Sequence, residues 1–135
     1  MDEEEGHIID RLYDFVARRD VRQRFRVFYH EQRKVLATLR DAGDEQPHEA
    51  HDAYRKWERL LEDDISEFLG AEGLEPHAFY EMCQQAQRDG DGSAAALDTL
   101  ALVLSALDFA SFVSIATAAV REQRQAEADA DAMGL

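Results

Sequence analysis

The sequence predicts an all-α fold, a single-domain bundle of about six helices, and three observations carry that prediction. First, in residues 52–69, DAYRKWERLLEDDISEFL, the side chains Tyr54, Trp57, Leu61, Ile65 and Phe68 fall within one narrow arc at helical pitch. Leu60 and Leu69 flank that arc, and Arg55, Lys56, Arg59, Asp63, Ser66 and Glu67 occupy the opposite face, which water solvates cheaply. Second, strand-like alternation of useful length is missing from the chain. Third, the two prolines and seven glycines sit where a helical protein needs breaks. A stripe with three aromatics buries much apolar area per residue, so residues 52–69 are expected as the central helix of the bundle.

Taken in order, the first helix is expected over about 4–18, with Ile8, Leu12, Phe15 and Val16 on its apolar face. Arg18 and Arg19 complement the dipole at its carboxyl end. Asp20 is placed to cap a second helix from 21 to about 39, carrying Val21, Phe25, Phe28, Val35 and Leu39 in one stripe. Val27, Tyr29 and Leu36 lie off that stripe and are expected to be buried by further neighbours. DAGDEQP, 41–47, reads as a loop, with Pro47 at or just before the first turn of the next helix. That helix is expected to end at Leu69, with Gly70 and Gly73 available for capping.

Pro76 opens a fourth helix through about Gln87 that buries Phe79, Met82 and Cys83, and residues 88–92, RDGDG, form a turn. Ser93 caps a fifth helix, which carries Leu97, Leu100, Leu102, Val103, Leu104 and Leu107 on nearly all sides. Apolarity all round means a helix enclosed by its neighbours. Asp108 introduces the sixth helix, whose Phe109, Phe112, Val113, Ala116 and Val120 share a face. Beyond Arg121 the chain is polar and alanine-rich, and 125–135 is expected as a fraying helical extension.

Composition narrows the function. At 135 residues and 45% hydrophobic content the chain suits one packed domain, residues 4–124. Apolar runs fall short of the roughly 18 residues a membrane span needs, so membrane insertion is not expected. The lone Cys83 reads as a buried thiol in a reducing, cytoplasmic setting. A formal net charge of −14 repels phosphate backbones and anionic lipid, so nucleic acid is a poor partner and a basic protein surface a good one.

Motifs for chemistry are weak. His48-Glu-Ala-His51 has a spacing of three where the zinc-protease helix needs four, so no metal is expected there. Asp89-Gly-Asp-Gly92 starts like a calcium loop, but the twelfth position is Leu100, which leaves the terminal carboxylate missing. Glu62, Asp63 and Asp64 are adjacent on a helix and point in different directions. The reading is a protein without catalytic residues or cofactor.

Three blocks together resemble the BART-like domain, a helical module that binds Arf-like small GTPases. Leu60-Leu61-Glu62, Phe68-Leu69 and then Phe79 match the family's order of two aliphatics and a glutamate, an aromatic or aliphatic pair, and a phenylalanine beyond the helix break. Asp108-Phe109-Ala-Ser-Phe112 reproduces its Asp-Phe-x-x-Phe signature. Phe28-Tyr29-His-Glu-Gln followed by Val35-Leu36 resembles its second helix. The similarity covers about residues 8–124. It is greatest to the amino-terminal BART-like domain of the cilia- and flagella-associated coiled-coil proteins, with the binder of Arf-like GTPase two as the other relative. Trp57 stands where the family usually has tyrosine, and Ala37-Thr38-Leu39-Arg40 replaces a phenylalanine- and acid-rich loop.

The resemblance implies a non-enzymatic effector of a GTP-bound Arf-like GTPase, whose amphipathic amino-terminal helix lies in a hydrophobic groove. On motif position the groove residues are Leu61, Ile65, Phe68, Leu69, Phe79, Met82, Phe109 and Phe112, about half of them expected to be core. Glu62 and Asp64 are expected as an acidic rim. A monomer in the cytoplasm, in a cilium or flagellum, goes with that reading. The alternative is a structural bundle that mediates oligomerisation or scaffolding, suggested by the aromatic stripe and the helix-prone tail.

Overall fold

The computed structural model describes residues 3–40, 45–90 and 92–134. Six helices follow in order: α1 (Glu3–Arg18), α2 (Val21–Leu36), α3 (His48–Glu72), α4 (Pro76–Asp89), α5 (Ala94–Ser105) and α6 (Phe109–Ala132). Among the described residues there are no strands, and no helix is long and apolar enough to cross a membrane.

Local chemistry sets the helix ends. Ser93 Oγ accepts the Ala96 N–H at 3.1 Å, which starts α5 as its sequence position predicts. Asp108 Oδ1 does the same for Ser111 N–H at 2.6 Å at the head of α6. Asp20 precedes α2 but caps nothing with its side chain. The reversal from α1 to α2 takes only Arg19 and Asp20, and Asp20 adopts the left-handed conformation (φ 52°) that so tight a turn demands.

Helix lengths depart from the sequence reading in three places, α2, α3 and α4. α2 stops at Leu36, because Thr38 and Leu39 turn back with N–H bonds to Val35 and Leu36 carbonyls. α3 runs through Gly70 to Glu72, and the left-handed cap is Gly73 (φ 66°), followed by a Leu74 N–H bond to Leu69 O at 3.0 Å. α4 includes Arg88 and Asp89 and ends at Gly90, so only part of the expected 88–92 turn is non-helical. α6 continues to Ala132, so the expected extension beyond Arg121 is helical. Of the 41–47 loop, Glu45, Gln46 and Pro47 are non-helical, and residues 41–44 lie outside the described residues, as does Asp91.

The core is aromatic and aliphatic. Trp57 and Phe112 are 0% exposed, and Phe25 and Phe28 pack their rings on Trp57 at 5.2 and 5.3 Å. A second row runs Phe15, Phe68, Phe79, with centroids 5.4 and 5.8 Å apart. The most enclosed helix is α5, which packs on α1, α2, α4 and α6. α3, expected as the centre, instead packs closely on α1, α2 and α6 and keeps one side open. Its length and its stripe suit a wall better than a hub. On α2, Leu36 is buried and Tyr29 half-buried, but Val27, expected to be covered, is exposed.

Candidate partner-binding surface

One line of side chains on α3 borders the open side. Tyr54, Glu58, Leu61 and Ile65 stand at i, i+4, i+7 and i+11, so they follow one face for about 16 Å. Leu61 is buried, Tyr54 and Ile65 are half-buried, and Glu58 is exposed. α4 follows α3 in sequence but packs closely on α5 and α1. The two helices meet at the Phe68–Phe79 contact, and on the α3 line Tyr54, Glu58 and Ile65 keep part of their surface exposed.

The far end of that line meets the head of α6, and here the Asp-Phe-x-x-Phe signature separates into three physical roles. The Asp108 carboxylate caps α6, accepts the Ser111 hydroxyl at 2.9 Å, and accepts the Tyr80 hydroxyl of α4 at 2.8 Å. It thereby fixes the start of α6 against α4. Phe112 points into the core, 6.1 Å from Phe28 and 5.5 Å from Tyr54. Phe109 is half-buried, stacked on His51 with centroids 4.1 Å apart and planes 14° apart, and met edge-on by Tyr54 at 5.6 Å. Asp, the first Phe and the second Phe thus act as strut, surface and core.

The eight motif-derived groove residues divide in the structure. Leu61, Phe68, Leu69, Phe79 and Phe112 are buried in the core. Ile65, Met82 and Phe109 are half-buried. Leu61, Ile65, Phe68 and Phe79 meet around an apolar cavity of about 20 Å³ beneath α1, whereas Phe109 and Phe112 cluster with Tyr54 near the other end of α3. Met82 stands two residues from Tyr80, so at helical pitch the two leave α4 on opposite sides.

The two proposed rim carboxylates also differ. Glu62 is exposed and makes no ion pair among the described residues. Asp64 is 16% exposed and binds Arg24 and Arg19, the latter at 3.6 Å. Arg24 also donates to Leu60 O, so this cluster ties α2 and the α1–α2 turn to α3.

Burial and the neighbouring Glu58 push the Tyr54 hydroxyl well above its ordinary pKa, and the bond to Asp108 raises that of Tyr80. Both are neutral donors at pH 7, presented beside an acidic edge of Glu58 and Asp108. Tyr80 carries a position that the sequence left unremarked: its partner lies 28 residues away, and no local pattern announces such a bond. His48 pairs with Asp52 at 3.7 Å while His51 stacks on Phe109, so the two histidines serve different neighbours. Among the described residues no three potential metal ligands gather. Cys83 is buried, and desolvation pushes its thiol up to about 12, far from a nucleophile.

The fold and this face define the class: an all-helical bundle with the half-buried aromatics Tyr54 and Phe109 beside the carboxylates of Glu58 and Asp108. The chain belongs to the family described as the ARF-like 2 binding protein BART, whose model matches residues 4–125. No curated protein and no solved structure gives a significant match. The matched segment takes in all of α1 after its first residue, α2–α5 and α6 as far as Gln125.

Proposed function

We propose that this chain is a non-enzymatic effector that binds an Arf-like small GTPase in its GTP-loaded form. The observation that carries the reading is the family match, since the family is described by its binding of ARF-like 2. The open face of α3 supports it by offering Tyr54, Ile65 and Phe109 over about four helical turns, a length that suits an amphipathic helix with anchors at i, i+3 or i+4, and i+7. Burying three or four leucine-sized anchors there yields roughly 5–12 kcal/mol gross, which must exceed association costs of about 4–15 kcal/mol. Contacts to the ordered switch loops supply the remainder, and they exist only with GTP bound.

Glu58, Glu62 and Asp108 provide a negative border for basic residues of the GTPase, and the net charge of −14 steers the encounter. The setting we propose is cytoplasmic, with a cilium or flagellum as the site of action. The test is a pull-down of this chain against a panel of Arf-like GTPases loaded with GTP analogue or GDP. Capture in the GTP state alone supports the proposal. Equal capture in both states, or none with any member, overturns it.

A further inference from the structure

One carboxylate stands inside the α3 line itself. Along that line the neighbours of Glu58 are the half-buried Tyr54 and Ile65 and the buried Leu61. The Tyr54 hydroxyl donates to Glu58 Oε2 at 3.3 Å, which draws the carboxylate toward the aromatic end of the line. Burial and the Glu58 charge hold that hydroxyl protonated, so Glu58 faces a neutral donor and keeps its negative charge uncompensated. Arg55 and Arg59, its basic neighbours on α3, make no ion pair with it, nor does any other cation among the described residues.

A helix that covers this line takes water away from Glu58. A carboxylate buried without a partner is strongly unfavourable, whereas one met by Lys or Arg in good geometry is tolerated. The line therefore rejects an uninterrupted apolar stripe and accepts one with a cation in it. Spacing sets where that cation stands. Glu58 lies four residues from Tyr54 and seven from Ile65, about 6 and 10.5 Å along the helix axis. An occupant with outer apolar anchors at i and i+11 needs Lys or Arg at i+4 if it runs parallel to α3, and at i+7 if antiparallel. All of these positions fall on one face of the occupant.

We propose, on the effector reading above, that Glu58 is the specificity-determining residue of the α3 face, and that the amphipathic helix it admits carries a Lys or Arg between its apolar anchors. Steering by the net charge acts before contact and is screened beyond about 8–10 Å at physiological salt. The Glu58 pair acts after contact, enclosed by the occupant, where a missing cation leaves a buried charge unpaired. Anchors at either end supply contact area to any apolar helix, and Glu58 selects among such helices.

Calorimetric titration at about 0.15 M salt tests it, with the GTPase captured in the pull-down as the probe, loaded with GTP analogue. E58K is expected to weaken binding at least about thirtyfold. D63K, the same charge change on the opposite face of α3, is expected to weaken it less than about fivefold. Each Lys or Arg of the GTPase's amphipathic amino-terminal helix is then changed to Glu. One of these changes is expected to weaken binding to the unaltered chain and to restore E58K at least about tenfold. E58L is expected to prefer leucine over the cation at that GTPase position by about tenfold. Glu58 is exposed, and urea denaturation with unchanged m shows that each variant is folded. Four outcomes each overturn the proposal and leave the effector reading standing: E58K that binds like the unaltered chain, D63K as damaging as E58K, a loss that no single GTPase change restores, or E58L that still selects the cation. Capture of no GTPase overturns both.

Discussion

The indole N–H of Trp57 donates to Ser105 Oγ at 2.9 Å, and the Ser105 hydroxyl in turn donates to Leu102 O at 2.5 Å. Both side chains are 0% exposed, so α3 and α5 are joined by a polar relay inside an apolar core. A buried donor without a partner costs about 1–3 kcal/mol. S105A is expected to destabilise the fold by about that amount in urea denaturation with unchanged m, and W57F by packing loss alone, since Ser105 keeps its bond to Leu102. Trp57 emission is expected to be that of a dry indole, insensitive to partner binding. A tryptophan at 0% exposure reports unfolding, not occupancy of the α3 face.

At the head of α6, Asp108 combines a cap with a tertiary bond. D108A is expected to lose the cap, about 0.5–2 kcal/mol, and the Tyr80 bond, about 0.5–1.5 kcal/mol. D108N keeps an acceptor for Ser111 N–H and is expected to be milder than D108A. Y80F removes only the hydroxyl. A double-mutant cycle between D108A and Y80F is expected to show coupling of about 1 kcal/mol, whereas additivity would place Tyr80 outside this arrangement.

The legible parts of the molecule are those written in local pattern. The stripes of α1, α3 and α6, the Ser93 and Asp108 caps and the all-round apolarity of α5 each follow from residues within a few turns of one another. What stayed hidden depended on partners far along the chain. The sequence offered Gly70 and Gly73 equally as stops for α3, and the Leu69–Leu74 closure selects the second. Asp20 looked like a cap because side-chain chemistry is readable and backbone handedness is not. Asp64 and Glu62 were alike as carboxylates on one helix, yet only Asp64 lies beneath Arg19 and Arg24. For the candidate site, motif position could not divide Phe109 from Phe112, since core and surface share a stripe at a helix end.

Asp64 and Glu62 give a direct comparison. D64N leaves Arg19 and Arg24 short of a largely buried counter-charge and is expected to cost about 1–2 kcal/mol, between the values for exposed and buried pairs. E62Q is expected to leave thermal and urea stability unchanged and to slow association with the GTPase at low salt. If E62Q alters stability as much as D64N, the contrast fails.

Stability should fall at alkaline pH, with Cys83 as a leading cause. Its thiol titrates near 9 when unfolded and is pushed up to about 12 by burial. Above pH 9 the unfolded chain sheds a proton that the native chain keeps, so the native state binds more protons and stability decreases. The contribution is fully present below about pH 9 and is lost at about 1.4 kcal/mol per unit until the folded value is reached. Tyr54 and Tyr80, both raised, add the same sign above pH 10. C83A is expected to lower stability at pH 7 through lost packing yet flatten the decline between pH 9 and 10. The native thiol is expected to resist thiol reagents that modify it readily in urea.

Phe109 and Phe112, three residues apart on α6, are expected to respond oppositely. F112A empties a site that is 0% exposed and touches Phe28 and Tyr54, so it is expected to cost about 3–5 kcal/mol in unfolding. F109A removes a half-buried ring whose neighbours, His51 and Tyr54, can then be solvated, and is expected to cost less than about 1.5 kcal/mol. For binding of the proposed GTP-loaded partner the order is expected to reverse. A half-exposed aromatic at the end of the α3 line is the kind of anchor whose truncation weakens binding by about 2 kcal/mol, roughly thirtyfold. Calorimetric titration of the folded F109A chain measures this directly. Undiminished affinity in F109A would move the contact away from the α6 end of α3, toward Ile65 and the α4 side.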